Sequence, residues 1–274
     1  MPQKKRDFAK IVRNMIRQSE VVCEVIDGRF PSLSRVRKYE NMVLRNPKKS
    51  LVIAMNKIDL VPDKVVKKWK KILKEEGLNV IAVSARERLS TSILRKELLK
   101  VAPPETYFVT ACFIGLPNTG KSSLINILKG RASAPVAPIP GYTRAEQVLR
   151  ITTRLRIFDT PGVLTKNINP NERILLGTYR WDQLADHVKA SWVLVQGIEK
   201  YNPGILTEVY GIEYRSPPEF IEKFAEKRHR RKKGGVLDIE AAASIFMNEY
   251  IQGKIPIWED PETYLKEREE QEER

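Results

Sequence analysis

The chain has 274 residues, of which 42% are hydrophobic and 30% charged, with a formal net charge of +15 at pH 7. That length holds one large core or two modest ones, and the composition is that of a folded protein rather than a disordered one. There is no run of about 18 apolar residues to span a bilayer, and MPQKKRDFAK at the front lacks the apolar centre of a secretion signal, so a cytoplasmic protein is expected.

Cys23 in VVCEVI and Cys112 in VTACFIG fall inside apolar runs and read as buried thiols. With only two distant histidines, His187 and His229, they offer no zinc pattern. The positive charge points instead to a polyanionic partner, because lysines and arginines that neutralise phosphates release condensed counterions.

In chain order, VVCEVID from residue 21, SLVIAMN (50–56), NVIAVSA (79–85) and YFVTACFIG (107–115) predict buried strands. Helical patterns separate them near 33–44, 63–76 and 90–100, with Pro62 suited to an opening turn. Such alternation predicts βαβ units and a mainly parallel sheet. SSLINILKG then reads as a helix ending at Gly130, and EQVLRIT and RLRIFDT as two further strands. After about residue 168 the pattern turns helical, through NERILLGTYRWDQLADHVKASWVLVQ, PPEFIEKFAEKR and LDIEAAASIFMNEYIQ, with a strand allowed only at 192–196. The expected organisation is an α/β domain over 1–168 and a mainly helical domain over 169–274, ending in a frayed acidic tail from Glu259.

GLPNTGKSS (115–123) satisfies G-x-x-x-x-G-K-[ST] between a predicted strand and a predicted helix. Gly115 and Gly120 permit close backbone approach to phosphate. The amides of Asn118, Thr119, Gly120, Lys121, Ser122 and Ser123 would face phosphate oxygens at the helix N-terminus. Lys121 would neutralise the β and γ phosphates, and the Ser122 hydroxyl would ligate Mg²⁺. Gly-Lys-Ser also occurs in ordinary turns, but the flanking strand and helix favour the phosphate loop.

DTPG (159–162) ends the strand RLRIFDT, which places Asp159 as a magnesium ligand and the Gly162 amide near the γ phosphate. Thr143, in the proline-rich RASAPVAPIPGYTR, is the expected switch residue that reaches Mg²⁺. NKID (56–59) follows another strand. The Asp59 carboxylate accepts from N1–H and the exocyclic amine of guanine, a donor pair adenine lacks. Asn56 would meet the other edge of the base and the Lys57 stem its face. SAR ends the next strand, adding Ser84 and the Ala85 amide, which can reach O6.

The order NKxD, SA, phosphate loop, switch I, DxxG is rearranged relative to most GTPases, where the phosphate loop comes first. A ligand site depends on where strands lie in the sheet, not on when the chain visits them. In this order the sequence resembles the circularly permuted GTPases of ribosome assembly (YlqF/YawG type), over nearly its whole length. VIDGRFPSLSR is similar to the family's D-A-R-x-P-x-x-x-R stretch, with Gly28 where alanine is usual, and RRKKGGVLDIEAAASIFMNEYIQGKIP resembles the archaeal and eukaryotic branch.

The resemblance implies a P-loop GTPase domain with a helical RNA-binding domain, acting in large-subunit assembly and hydrolysing GTP slowly until a partner stimulates it. Val163 stands where Ras-like enzymes have the water-orienting glutamine, so no water-activating group is assigned; Lys121 and Thr143 would support the chemistry. Asn118 sits where related GTPases hold K⁺. Lys227, Arg228, Arg230, Arg231, Lys232 and Lys233 form a basic run expected to contact rRNA phosphates, and Lys4, Lys5, Arg6, Lys10, Arg13 and Arg17 form a second basic set. No DNA or membrane partner is expected, and the protein is expected to be a monomer. Two rival functions are a tRNA-maturation GTPase and a GTP-controlled RNA-binding module with negligible turnover.

Overall fold

The computed structural model describes residues 8–130, 148–160, 168–179, 184 and 186–272. The chain divides into two compact units, Met1–Thr165 and Lys166–Arg274.

Among the described residues the first unit has six strands: β1 (Val21–Asp27), β2 (Ser50–Asn56), β3 (Asn79–Ala82), β4 (Val109–Ile114), β5 (Val148–Arg150) and β6 (Leu155–Asp159). They lie in the order β3-β2-β1-β4-β6-β5, and every neighbouring pair is parallel except β5 with β6. β1 is buried at every residue, which explains why its sequence is a near-continuous apolar run rather than an alternating one. Helices α1 (Phe8–Gln18), α2 (Arg37–Leu44), α3 (Asp63–Glu75), α4 (Thr91–Lys100) and α5 (Lys121–Lys129) accompany the sheet. α3 buries Val65, Val66, Trp69, Ile72 and Leu73 on one stripe and leaves its lysines outside.

The path through the sheet fixes where a ligand can bind. The chain runs outward through β1, β2 and β3, then returns to lay β4 on the other side of β1. The switch point between β1 and β4 therefore sits where the two halves of the sheet diverge. Asp27, Asn56, Ile114 and Asp159 end their parallel strands on this carboxyl edge. Ligands of open α/β sheets bind outside that edge, at such a point.

The segment after β1 is held by polar contacts rather than by a helix. Ser34 Oγ accepts from the Asp27 amide at 2.9 Å and donates to Phe30 O at 2.7 Å, so the helix expected from residue 33 starts only at Arg37. Buried Arg35 grips both carboxylate oxygens of Glu40 (2.8 and 2.6 Å) and also reaches Glu76 at 2.5 Å. This pins the start of α2 to the end of α3. Glu24, in the middle of β1, accepts from the Val36 amide, and burial pushes its carboxyl well above the usual range. Cys23 and Cys112 are both buried, and burial raises both thiols.

α1 was not expected, because its basic residues masked the apolar stripe of Val12, Met15 and Ile16, all of which are buried.

The second unit contains α6 (Pro170–Leu175), α7 (His187–Tyr201), α8 (Ile205–Tyr210), α9 (Pro217–Lys227), α10 (Ile239–Ile251) and α11 (Pro261–Glu272). Residues 192–196 are helical, not a strand: Ala190, Ser191, Leu194, Val195 and Ile198 are buried at helical spacing within α7. The tail expected to fray is helical over Pro261–Glu272, begun by Asp260, whose carboxylate accepts from the Thr263 amide at 3.0 Å. Among the described residues no helix is long and apolar enough to cross a membrane.

Four aromatic rings centre this unit. Phe246 of α10 lies 5.1 Å from Phe220, 5.8 Å from Phe224 and 6.2 Å from Tyr210, in edge-on arrangements. Tyr250 donates its hydroxyl to Leu175 O, tying α10 to α6 at 2.5 Å. Phe246→Ala is expected to cost about 3–5 kcal/mol of stability through the cavity it leaves. Denaturant unfolding followed in the second unit measures this.

Candidate nucleotide-binding site

Asn56 is where the pieces meet. It ends β2 and is 2% exposed, too deep for its amide to remain unpaired. Its Nδ2 donates to Thr119 O of the phosphate loop at 2.9 Å, and its Oδ1 accepts from the Ala85 amide at 3.0 Å. One side chain thus bridges NKID, SAR and GLPNTGKS, whose residues lie 63 and 29 positions from it in sequence. This refines two expectations. Asn56 was assigned to the base, but its oxygen and one N–H are engaged with the backbone; a second N–H remains for a base. The Ala85 amide, assigned to O6, is engaged with Asn56, because a buried amide oxygen requires a donor.

The two loop glycines are explained by the protein's own packing. A Cβ on Gly120 would overlap the Asn56 amide nitrogen, and one on Gly115 would overlap the Val25 carbonyl oxygen. Both sit at positive φ, +93° and +145°. The phosphate loop is therefore seated on β1 and on Asn56, and only glycine allows the approach.

Lys121 opens α5 and is 6% exposed. Its ammonium donates to Gly115 O and Leu116 O, each at 3.2 Å. Burial pushes its pKa down to about 8, against an opposing pull from Asp159. Thr119 is buried, its hydroxyl on Leu116 O at 3.0 Å. Asn118 stands exposed at the loop tip at φ +63°, with Ser122 and Ser123 exposed at the start of α5. Asp159 ends β6, beside β4; burial raises its carboxyl, while Lys121 lowers it. A hydroxyl from Ser122 and a carboxylate from Asp159 make an all-oxygen donor set, which suits a small hard cation such as Mg²⁺. Thr143, Gly162 and Val163 lie outside the described residues.

At the NKID end, Asp59 accepts from Ser84 Oγ at 2.6 Å through Oδ1, fixing its carboxylate against the SAR loop. Ser84 Oγ in turn accepts from the Glu87 amide at 3.0 Å. Lys57 holds a left-handed conformation, φ 65°, and its ammonium donates to Asp27 Oδ2 at 2.8 Å. Burial lowers the Lys57 pKa, and Asp27 opposes the shift. Asp27 has no assigned role in the sequence, although it heads the DGR stretch quoted above. Its carboxylate receives Arg29 Nε at 3.1 Å and NH2 at 2.8 Å as well. A D-x-R pair at the end of a strand neighbouring NKID was the signal available for it.

The basic run splits. Lys227 donates its ammonium to Tyr210 O, and Arg228 grips Glu249 at 2.9 and 3.0 Å while its guanidinium lies 5.2 Å from the Phe224 ring centre. These two, expected to bind RNA, hold α9 to α8 and α10. Arg230 to Lys233 lie on a two-stranded turn closed by Lys232 N–H to Val236 O (2.8 Å) and Asp238 N–H to Arg230 O (2.9 Å). Residues 230–236 are all exposed, Arg231 donates to Gly235 O at 2.6 Å, and Lys232 pairs loosely with Glu240 at 3.7 Å. The turn itself needs the consecutive left-handed Gly234 and Gly235, φ 95° and 84°.

Asn56→Ala leaves a buried carbonyl and a buried amide unpaired between the loops. It is expected to weaken GDP binding about a hundredfold, near 2.7 kcal/mol. Fluorescent-nucleotide titration measures it. Lys121 supplies a pH dependence. Its free-state pKa is held at about 8, and a phosphate contact restores the charged form toward the ordinary 10.5. Between those values nucleotide binding takes up a proton, and affinity falls as pH rises through about 8. Calorimetry at pH 8.5 to 9 in buffers of different ionisation enthalpy is expected to show the uptake, and Lys121→Met to abolish it.

Residues 110–215 match the family model described as a 50S ribosome-binding GTPase. An uncharacterized GTP-binding protein of Methanocaldococcus jannaschii is 33% identical over 98% of this chain and 72% of its own length. Ribosome biogenesis GTPase A of Thermotoga maritima is 34% identical over 89% of this chain and 86% of its own. The crystal structure of GNP-bound YlqF from T. maritima superposes with a TM-score of 0.68 at 29% identity, covering 93% of this chain and 98% of that one. The chain spans about half or less of the nucleolar GTP-binding proteins it matches, 42% of the one from Neurospora crassa and 52% of the one from Yarrowia lipolytica. With its base-recognition strands preceding its phosphate loop and both halves closing on one sheet edge, the chain belongs to the circularly permuted ribosome-biogenesis GTPases of the YlqF type.

Proposed function

We propose that this protein binds and hydrolyses GTP as an assembly factor for the large ribosomal subunit, with the nucleotide controlling its hold on ribosomal RNA. The observation that carries the nucleotide half is the Asn56 bridge, which brings a phosphate loop and a guanine-selective carboxylate to one edge of the sheet. Guanine is selected by Asp59, steadied by Ser84. The loop amides from Asn118 to Ser123 hold phosphate, and Lys121 moves its ammonium from loop carbonyls to phosphate oxygen. Mg²⁺, held by Ser122 and Asp159 with Thr143 completing the set, would neutralise charge developing on the phosphates. Asn118, exposed at the loop tip, is the candidate K⁺ ligand. Turnover would be slow until a partner supplies the group that orients the attacking water, since Val163 stands where Ras-like enzymes have glutamine.

In sequence, DTPG leads from β6 directly into the second unit, so a change at Gly162 on loss of the γ phosphate would act on that unit rather than on the sheet. RNA contact would centre on the exposed turn, where Arg230 and Lys233 lead with Arg231 and Lys232 beside them, and Lys227 and Arg228, exposed as well, would flank it while they brace α9. The protein would act as a cytoplasmic monomer.

Co-sedimentation with large-subunit precursors tests both halves at once. Binding is expected with a GTP analogue and not with GDP, falling steeply with salt. Asp59→Asn is expected to pass this control from guanine to xanthine nucleotides, about tenfold or more in preference, because the amide matches the xanthine edge. Arg230→Glu with Lys233→Glu is expected to release the particle with nucleotide affinity intact. Sedimentation indifferent to the nucleotide would remove the switch.

A further inference from the structure

The DGR corner after β1 carries no contact to a nucleotide in this reading of the site, yet it touches the NKID loop twice. The Gly28 amide donates to Asn56 O at 2.6 Å, and Asp27 Oδ2 receives Lys57 Nζ at 2.8 Å. Gly28 lies so close that a Cβ would stand 2.7 Å from the same Asn56 oxygen. Asp27 cannot turn away: Arg29 holds both of its oxygens, and Ser34 Oγ holds its amide. The carboxylate is 1% exposed as a residue, and its two cationic neighbours outweigh burial and hold it below the ordinary carboxylate range.

The other end of this contact needs such an anchor. Lys57 is a non-glycine residue at φ 65°, a conformation that costs about 1 kcal/mol or more and persists where surrounding contacts enforce it. It is also the residue that turns the chain from β2 into the 3₁₀ turn Ile58–Leu60, which presents Asp59. Fixing the Lys57 ammonium at one end and its backbone at the other sets both the course of the lysine stem and the direction in which Asp59 leaves the strand.

We propose that Asp27 is a positioning residue for guanine recognition, acting through Lys57 to hold the left-handed turn that presents the lysine stem and the Asp59 carboxylate to the base. This deepens the nucleotide reading of the site and rests on it. The DGR corner thereby becomes part of base selection, though Asp27 itself touches no ligand.

The test is equilibrium titration of the full-length protein with fluorescent GDP and with inosine diphosphate, which lacks the amine that Asp59 recognises. Asp27→Asn, close to isosteric, is expected to weaken GDP about tenfold or more and to shrink the preference for GDP over inosine diphosphate. A purely structural role would lower thermal stability and weaken both nucleotides alike, leaving that preference unchanged. Lys57→Met keeps the stem and leaves the Asp27–Arg29 pair in place, so it folds independently of any loss in Asp27→Asn. It is expected to shrink the preference too, and adding Asp27→Asn to it is expected to change little further. The inference is overturned by an unchanged preference in Lys57→Met, or by an Asp27→Asn effect that persists in full in the Lys57→Met background. If the unaltered protein binds neither nucleotide, the site reading itself falls, and the inference with it.

Discussion

A single buried carboxamide organises this nucleotide site. Asn56 has one acceptor and two donors, and the fold directs the acceptor to the SAR loop and one donor to the phosphate loop. Because it lies away from water, neither contact can be exchanged for solvent without leaving a polar group unpaired, so the three loops share one geometry. The glycines of the phosphate loop follow from the same constraint: Gly120 has no side chain because the Asn56 amide occupies the space, and Gly115 because β1 does. Permuting the chain leaves this arrangement intact, since it depends on which strands are neighbours. β1 lies between β2, which carries the base loop, and β4, which carries the phosphate loop, and it contributes the D-G-R corner on their shared edge.

Charge is handled differently in the two units. In the first, ionic groups are buried in matched sets: Asp27 with Arg29 and Lys57, Arg35 with Glu40 and Glu76. Such sets add little net stability relative to apolar packing, but they allow one geometry and penalise others. In the second unit the core is aromatic, and the densest basic run is divided between two tasks. Its first two members cap and brace helices, while the next four ride on an exposed turn. His229 takes a left-handed conformation inside the run, between the two cations that brace α9 and the four on the turn, and Gly234 and Gly235 follow it.

The sheet was legible because burial on both faces leaves apolar runs of strand length, and β1, β2 and β4 each show one. The nucleotide motifs were legible because phosphate and guanine chemistry tolerates few residue types at fixed spacing. α1 was not, because five of its residues are basic or polar enough to resemble a tail while its apolar stripe recurs only every third or fourth position. Residues 192–196 misled for the opposite reason: a short apolar run fits a strand and a buried helix equally, and only the packing of α7 distinguishes them.

The sequence by itself determined the ligand class and the permuted order, since both are written in residue identity and spacing. It also determined the mainly parallel sheet, through the alternation of apolar strands with amphipathic helices. Only the tertiary structure decided what each polar side chain does. Asn56 ties two loops together, Asp27 grips a lysine 30 residues away, and Lys227 and Arg228, though exposed, reach Tyr210 and Glu249. The physical reason is that a polar group's role is set by which partner it meets once water is removed, and those partners are distant in sequence and adjacent only in the fold.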